Sequence, residues 1–193
     1  MLTGRFVEAV AVAARLHATQ VRKGTTIPYV SHLLGTCAIA LEYRADEDQA
    51  IAALLHDAIE DNDPVMARAE VDRFGPVVRE LVEACTDTDE DPKPPWRPRK
   101  EAYIARIATE GRGALLVSAS DKLHNARAIV ADLQAIGPAI WARFNPESDQ
   151  LWYYRNLVEA YQANPVRNPA LIAELDQVVT EMEQLASSTI APT

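Results

Sequence analysis

Apolar residues recur along this chain at the three-to-four-residue spacing of amphipathic helices. Phe6, Val10 and Leu16 mark a first helix, and Leu33 and Leu41 lie on the apolar face of a second. No segment shows a convincing alternation of apolar and polar residues, which is the pattern of a half-buried strand. The pattern therefore predicts an all-α fold, a bundle of about eight or more helices.

Capping residues and helix breakers divide the rest of the chain. A run without glycine or proline begins at Glu47 behind Asp46, an N-cap residue, and Asp63 followed by Pro64 starts another helix. We expect further helices over residues 76–85, 99–110, 115–136, 148–163 and 169–186. Residues 86–98 form the one long loop, acidic first and then rich in proline and basic residues. Its composition favours a solvated connection over an active-site lid.

Length and composition are those of an ordinary globular protein. With 193 residues, 48% of them hydrophobic, we expect one domain over residues 1–186 and a flexible tail over 187–193. The 19 basic and 28 acidic residues give a net charge of −9, which argues against a broad nucleic-acid-binding surface but leaves room for a local basic pocket. No run reaches the ~20 apolar residues of a membrane span, and the N-terminus lacks a signal-peptide pattern. We therefore expect a cytoplasmic protein without membrane contact, and the sequence leaves its oligomeric state open.

The stretch His56-Asp57-Ala58-Ile59-Glu60-Asp61 places four polar groups at the end of the helical run from Glu47, where a core helix would be apolar. On a continuous helix, His56 would lie over Glu60, and Asp57 over Asp61, within one arc of ~140°. Four potential ligands or anions crowded on one arc repel each other unless a cation lies among them. The stretch therefore indicates a cation site.

Two further residues are candidates for the same site. His32 precedes an apolar helical run, although a lone histidine is usually an ordinary core or surface residue. Asp121 follows an apolar and small stretch over 115–120, aligns with Asn125 at i+4, and needs a partner if it is buried. A mixed nitrogen and oxygen set of this kind suits Mn²⁺, Fe²⁺ or Zn²⁺ and leaves positions open for water; its members would be His32, His56, Asp57 and Asp121. Spacing alone does not establish that the four converge.

This pattern of a histidine, a histidine-aspartate pair and an aspartate resembles the ligand motif of the HD-domain metal-dependent phosphohydrolases, an all-helical superfamily. Flanking motifs are similar, more narrowly, to the hydrolase domain of RelA/SpoT-type alarmone enzymes. They are Arg22-Lys23-Gly24, Pro28-Tyr29, Glu60-Asp61, the segment 118–127, the segment WRPRKEAY at 96–103 and Trp152-Tyr153-Tyr154. The resemblance covers about residues 3–162 and departs at Leu33, where the family often has proline. It implies a single HD-domain helical bundle and a stand-alone small alarmone hydrolase.

The resemblance also implies a reaction and residue roles. The family removes the 3′-diphosphate of a guanosine alarmone such as (p)ppGpp as pyrophosphate, leaves GDP or GTP, and uses Mn²⁺, although another divalent metal would fit the same ligands. The implied metal ligands are His32, His56, Asp57 and Asp121, and the implied catalytic pair, which orients and deprotonates a water, is Glu60 and Asp61. Arg22 would stack on the base and Asn125 would hydrogen-bond the ribose. The candidates for contacting phosphate are Lys23, Arg97, Arg99 and Lys100.

Two alternatives remain from the sequence. The same site would serve another nucleotide, such as (p)ppApp or NADPH, because an arginine that stacks on a purine does not separate guanine from adenine. A non-catalytic nucleotide-binding module is the other alternative. Degenerate members of an enzyme family normally lose a metal ligand or the catalytic pair, and Glu60 and Asp61 are both present here. The sequence therefore favours an enzyme.

Overall fold

The structure, a computed structural model, describes residues 1–188 and is built from helices. The α-helices within these residues are α1 (Gly4–Leu16), α2 (Val30–Glu42), α3 (Glu47–Leu55), α4 (Ala58–Asp61), α5 (Pro64–Asp72), α6 (Pro76–Cys85), α7 (Trp96–Ile107), α8 (Arg112–Ile136), α9 (Gln150–Ala163) and α10 (Pro169–Ser188). A 3₁₀ helix, Gly137–Arg143, follows α8 directly. The described residues contain no strand, and one isolated bridge joins Val21 to Pro28. The predicted all-α fold is therefore confirmed.

The predicted caps explain where two of the helices begin. The side chain of Asp46 accepts from the backbone N–H of Gln49, and Gln49 reaches back to the Asp46 backbone, which completes a capping box at the start of α3. Asp63 accepts from the backbone N–H of Met66, and Pro64 occupies the first position of α5. These side chains satisfy backbone N–H groups that a helix start leaves without an intrahelical partner.

Several boundaries differ from the prediction by two or three residues, and three differences affect the site, the 86–98 loop or the tail. The helix from Glu47 does not run continuously to Asp61, because α3 ends at Leu55 and a turn at His56-Asp57 separates it from α4. Helix α7 begins at Trp96 and shortens the predicted 86–98 loop, since a proline in the first turn of a helix removes no intrahelical hydrogen bond. Helix α10 continues to Ser188, so the predicted tail keeps two helical residues, and its remainder, 189–193, lies outside the described residues.

The helices pack around two clusters of buried side chains that meet at α8. The first cluster is formed mainly by α1 to α6 and includes Ala9, Val12, Leu33, Ile51, Leu55, Val71 and Val82. The second is formed mainly by α7 to α10 and includes Leu123, Ile140, Leu157, Tyr161, Leu171 and Leu175. Helix α8 supplies residues to both clusters, for example Val117 to the first and Leu123 to the second. No described helix is long and apolar enough to cross a membrane.

Candidate metal and nucleotide site

The four predicted metal ligands converge although three different parts of the fold supply them. His32 lies on α2, His56 and Asp57 lie in the turn between α3 and α4, and Asp121 lies on α8. The Nε2 atoms of the two histidines are 3.3 Å apart, and ligand atoms of His32, His56 and Asp57 all lie within 4.8 Å of one another. Asp121 Oδ1 is 3.1 Å from His32 Nε2 and 3.5 Å from His56 Nε2. Two imidazole nitrogens and two carboxylate oxygens therefore face a common point.

Hydrogen bonds behind the histidines leave their Nε2 atoms facing this point. His56 Nδ1 lies 2.9 Å from the carbonyl oxygen of Ala53, which only accepts, so Nδ1 carries the proton. His32 Nδ1 lies 2.9 Å from Nδ1 of His124. Burial, with the charges of His32 and Arg22, lowers the pKa of His124 to about 4, so this ring is neutral at pH 7 and its Nδ1 can accept from His32. A ligating histidine that donates its other N–H in this way is typical of metal sites.

The charges around the histidines also fit a cation. Burial lowers the pKa of His56, but the carboxylates of Asp57 and Asp121 outweigh burial and raise it well above its usual value. Burial raises the pKa of Asp57, yet the imidazoles of His56 and His32 more than offset it and hold this pKa well below its usual range. Burial also raises the pKa of Asp121, but the Lys122 charge and the two imidazoles hold it well below its usual range, so both carboxylates are ionised and attract a cation. A divalent ion of the Mn²⁺, Fe²⁺ or Zn²⁺ class suits this mixed donor set.

Two neighbours hold the carboxylates in place. The hydroxyl of Tyr29 donates to Asp57 Oδ2 at 2.6 Å, and burial together with the charge of Asp57 raises the pKa of this tyrosine, so it keeps its proton. The ammonium of Lys122 lies 2.6 Å from Asp121 Oδ2. It also lies 5.0 Å from the centre of the Tyr103 ring, which is buried and hydrogen-bonded to Ser118. The two carboxylates therefore have fixed directions.

The predicted catalytic pair lies on α4, directly after the metal-site turn. Burial and the charges of Asp57 and Glu60 raise the pKa of Asp61, while a hydrogen bond from Gln20 opposes this shift. Gln20 Nε2 donates to Asp61 Oδ2 at 2.8 Å. Glu60 Oε1 is paired with Lys93 of the 86–95 loop at 2.9 Å. A carboxylate with a raised pKa beside a cation site is suited to accepting a proton from water.

A cavity of about 650 Å³ adjoins the metal-site residues. Tyr29, His124 and Asn125 line it, and each of the three also contacts a predicted metal ligand. Its other walls include basic and aromatic side chains, among them Arg22, Lys23, Arg99, Lys100, Lys122, Arg143, Trp96, Phe144, Tyr153 and Tyr154. Glu60 and Asp61 are not among its lining residues. Its size and its basic lining suit a small phosphorylated ligand.

The residues predicted to bind the nucleoside are joined to the metal site by hydrogen bonds. Arg22 donates to Asn125 Oδ1 at 2.8 Å, and Asn125 Nδ2 donates to Asp121 Oδ1 at 2.6 Å. The Arg22 guanidinium also lies 5.9 Å from the centre of the Tyr29 ring. Both residues line the cavity.

The four predicted phosphate contacts have different environments. Lys23, Arg99 and Lys100 line the cavity. Arg99 and Lys100 are both paired with the buried carboxylate of Asp87, with Lys100 Nζ at 2.6 Å from its Oδ2. Arg97 does not line the cavity, and its guanidinium lies 3.3 Å from the centre of the Trp152 ring. The structure therefore brings three of the four to the cavity and leaves Arg97 outside it.

Several residues around the site were not predicted from the sequence. Lys122 and His124 stand in the motif that follows Asp121, and Tyr29 stands in the motif before His32, but none of the three was given a role. Gln20 and Asp87 contact site residues from distant positions in the chain. The sequence does not show which residues these side chains contact, because the partners come together only in the folded chain.

Comparisons with known proteins agree with this geometry. Residues 9–147 match the family model of the HD domain. The chain is 35% identical over 153 residues to the Homo sapiens guanosine-3′,5′-bis(diphosphate) 3′-pyrophosphohydrolase MESH1, an alignment that covers 77% of this chain and 80% of that protein. It is 31% identical over 131 residues to the bifunctional (p)ppGpp synthase/hydrolase SpoT of Escherichia coli, which covers 65% of this chain and 18% of SpoT. A solved structure of a metazoan ortholog of SpoT that hydrolyses ppGpp has a TM-score of 0.76 and 31% identity, and covers 94% of this chain and 97% of that one.

Proposed function

Because this chain belongs to the HD-domain family, and within it to the RelA/SpoT-type alarmone hydrolases, which are metal-dependent phosphohydrolases, we propose that it removes the 3′-diphosphate of guanosine alarmones. The substrate would be ppGpp or pppGpp, and the products would be GDP or GTP and pyrophosphate. Mn²⁺ is the proposed metal. The main observation that supports the proposal is that four nitrogen and oxygen donors face a common point beside a basic cavity large enough for a nucleotide.

The proposed metal ligands are His32, His56, Asp57 and Asp121. When bound there, a divalent ion makes water acidic enough to act as a nucleophile at neutral pH and offsets charge on the phosphoryl oxygens. The protein's own part is to direct the Nε2 atoms, through the contacts of His56 with Ala53 and of His32 with His124, and to keep both carboxylates ionised. These contacts set the geometry before substrate arrives.

Glu60 and Asp61 are the proposed residues that orient the attacking water and take its proton. Burial and the neighbouring carboxylates raise the pKa of Asp61 above its usual value, which makes this carboxylate a better proton acceptor. Glu60 is paired with Lys93, which lies on the 86–95 loop and is half-exposed. The position of this pair directly after the metal-site turn supports attack at the phosphorus nearest to the metal.

The cavity provides the proposed nucleotide contacts. Arg22 presents a flat guanidinium for stacking on a purine, and Asn125, which both accepts from Arg22 and donates to Asp121, would bond the ribose. Lys23 and Arg99 supply positive charge for the two diphosphates, and Lys100, whose pKa burial lowers to about 7, becomes fully charged when a phosphate binds beside it. Arg97 would contact phosphate only after leaving Trp152, so it is the weakest of the proposed contacts.

A panel of nucleotides tests the proposal. The purified chain is incubated with ppGpp, pppGpp, ppApp, NADPH and GTP in the presence of Mn²⁺, Mg²⁺, Zn²⁺ or a chelator, and pyrophosphate and orthophosphate are measured separately. We expect pyrophosphate from ppGpp and pppGpp with Mn²⁺, GDP and GTP as the other products, and no turnover with the chelator. Orthophosphate alone from many nucleotides, with ppGpp and pppGpp intact, would overturn the proposal. Turnover of ppApp or NADPH in preference to ppGpp would replace guanosine as the substrate.

A further inference from the structure

Two residues of the turn after α1, His17 and Gln20, reach the proposed catalytic carboxylate from outside the predicted site. His17 Nδ1 lies 2.6 Å from Gln20 Oε1, and Gln20 Nε2 donates to Asp61 Oδ2 at 2.8 Å. The three side chains thus form one chain of hydrogen bonds that ends on Asp61. His17 is 3% exposed, so it is a buried polar residue whose role is not explained by the metal ligands or the cavity.

The chemistry of the three groups allows only one direction of donation along this chain of hydrogen bonds, from His17 through Gln20 to Asp61. An ionised carboxylate only accepts hydrogen bonds, so the amide NH₂ of Gln20 must face Asp61. The amide oxygen then faces His17, and His17 must carry its proton on Nδ1 to donate to it. The reverse orientation would place the Gln20 oxygen against the Asp61 carboxylate, where both groups accept and repel each other.

The surrounding contacts hold His17 and Gln20 in place. The His17 ring stacks on Tyr29, with ring centres 5.2 Å apart and planes at 21°. The backbone carbonyl of Gln20 accepts from the Tyr29 N–H at 2.9 Å. Tyr29 in turn donates its hydroxyl to the metal-site carboxylate of Asp57. The group formed by His17, Gln20 and Tyr29 therefore contacts both a predicted metal ligand and the proposed base.

We infer that His17 and Gln20 are positioning residues, which hold the carboxylate of Asp61 in the orientation from which it accepts a proton from the attacking water. Gln20 acts by its hydrogen bond to Asp61, and His17 acts by fixing the orientation of the Gln20 amide. The role of Asp61 as the base rests on the proposed function, whereas the direction of the hydrogen-bond chain does not.

The direction of donation along these hydrogen bonds is tested without any substrate. Nitrogen-15 NMR of the histidine-labelled full chain, loaded with diamagnetic Zn²⁺, reports which ring nitrogen of His17 is protonated, and a His17→Gln variant identifies its signals. We expect protonation at Nδ1 and a bare Nε2 in the wild-type chain, since Nδ1 has the Gln20 oxygen as its acceptor and Nε2 is buried without a partner among the described residues. A bare Nδ1 in the wild-type chain would overturn the inference.

The catalytic consequence is tested by a double-mutant cycle. Gln20→Met keeps the length of the side chain but removes the donor, so kcat for ppGpp should fall about tenfold to a hundredfold, the range expected for a lost hydrogen bond to a charged group. KM and metal content should stay unchanged. In an Asp61→Asn background the same substitution should have little further effect, because the base that Gln20 orients is gone. An equal loss of kcat in both backgrounds would show that Gln20 does not act through Asp61 and would refute the inference.

A matched control separates this effect from a general cost of losing an amide. Gln134 donates to Glu181 at 2.9 Å on the exposed faces of α8 and α10, away from the site. Gln134→Met should leave kcat unchanged. If the wild-type chain releases no pyrophosphate from ppGpp, the proposed function fails, and the NMR result still decides whether His17 and Gln20 orient Asp61.

Discussion

The ammonium of Lys122 lies 2.6 Å from Oδ2 of Asp121, while the other oxygen of the same carboxylate, Oδ1, lies 3.1 Å from His32 Nε2. The two residues are neighbours on α8, and both side chains are largely buried, at 14% and 8% exposure. One oxygen is therefore neutralised inside the protein, and the other faces the proposed metal position. This division has a consequence for substitutions of Asp121.

Asp121→Ala should remove both bound metal and activity, and should also destabilise the fold. The substitution leaves the buried Lys122 ammonium without its partner, which costs on the order of 3–5 kcal/mol. The double variant Asp121→Ala with Lys122→Met should recover much of the free energy of unfolding but not the metal. Urea denaturation and elemental analysis measure the two effects. A single variant that keeps stoichiometric metal would refute Asp121 as a ligand.

Gly35→Ala should weaken metal binding although Gly35 is not itself a predicted ligand. A Cβ at this position of α2 would lie 2.2 Å from the ring of His124, so His124 would have to shift, which disturbs its contact with His32. Loss of such a supporting contact typically lowers metal affinity about 10- to 100-fold. Competition with a chromophoric chelator measures the affinity. Gly4→Ala is the control, since its Cβ would meet nothing within 4 Å, and equal affinities in the two variants would contradict the prediction.

Glu60→Gln combined with Asp61→Asn should separate binding from chemistry. The amides keep the size of both side chains but cannot take a proton from water, so kcat should fall by ~10² or more. Metal content and nucleotide affinity should stay near the wild-type values. Steady-state kinetics and equilibrium binding of ppGpp measure these quantities. An unaltered kcat would exclude the proposed role of the pair in activating water.

Arg22→Ala should raise KM for ppGpp and leave metal content unchanged. Loss of stacking on the base is expected to cost ~1–3 kcal/mol, by analogy with contacts between bases and aromatic side chains. Arg15→Ala serves as the control because Arg15 is exposed and paired with Glu70, outside the cavity lining. Initial rates over a range of ppGpp concentrations measure KM. The same KM in both variants would show that Arg22 does not bind the substrate.

Metal binding at pH 7 should release about one proton. Without metal, the carboxylates of Asp57 and Asp121 raise the pKa of His56 well above its usual 6.5, so His56 is protonated at neutral pH, and it must lose this proton to become a ligand. The protonated form stabilises the metal-free fold fully below pH 6.5, and this contribution is lost as the pH rises through the raised value. Metal affinity should therefore increase with pH. Calorimetry in two buffers of different ionisation enthalpy measures the release, and identical heats would contradict it.

The helical fold could be predicted because apolar periodicity and helix caps are local signals. Asp46 and Asp63 begin α3 and α5 as expected. The break at His56-Asp57 could not be predicted, since no glycine or proline marks it. The 3₁₀ helix Gly137–Arg143 was also missed, because its short segment carries no helical period of its own.

The candidate site could be predicted in outline only because its motifs resemble a known family. The residue types show that Asp57 and Glu60 are unusual in a core helix. They do not show that His32 and Asp121 lie at the same point. The contacts that orient the site, such as that of Gln20 with Asp61, join positions 41 residues apart. Contacts of this kind depend on how the helices pack against each other, which the spacing of apolar residues does not show. The assigned roles of all these residues stay predictions until variants are measured.

The position of α8 between the two buried clusters also limits when the site can form during synthesis. His32, His56 and Asp57 belong to the part of the chain that a ribosome releases first, whereas Asp121 lies beyond the midpoint of the 193 residues. A nascent chain that ends before α8 has three of the four donors and lacks the helix that closes the first cluster. Such a chain would hold a metal ion poorly, so correct metal loading follows the synthesis of α8.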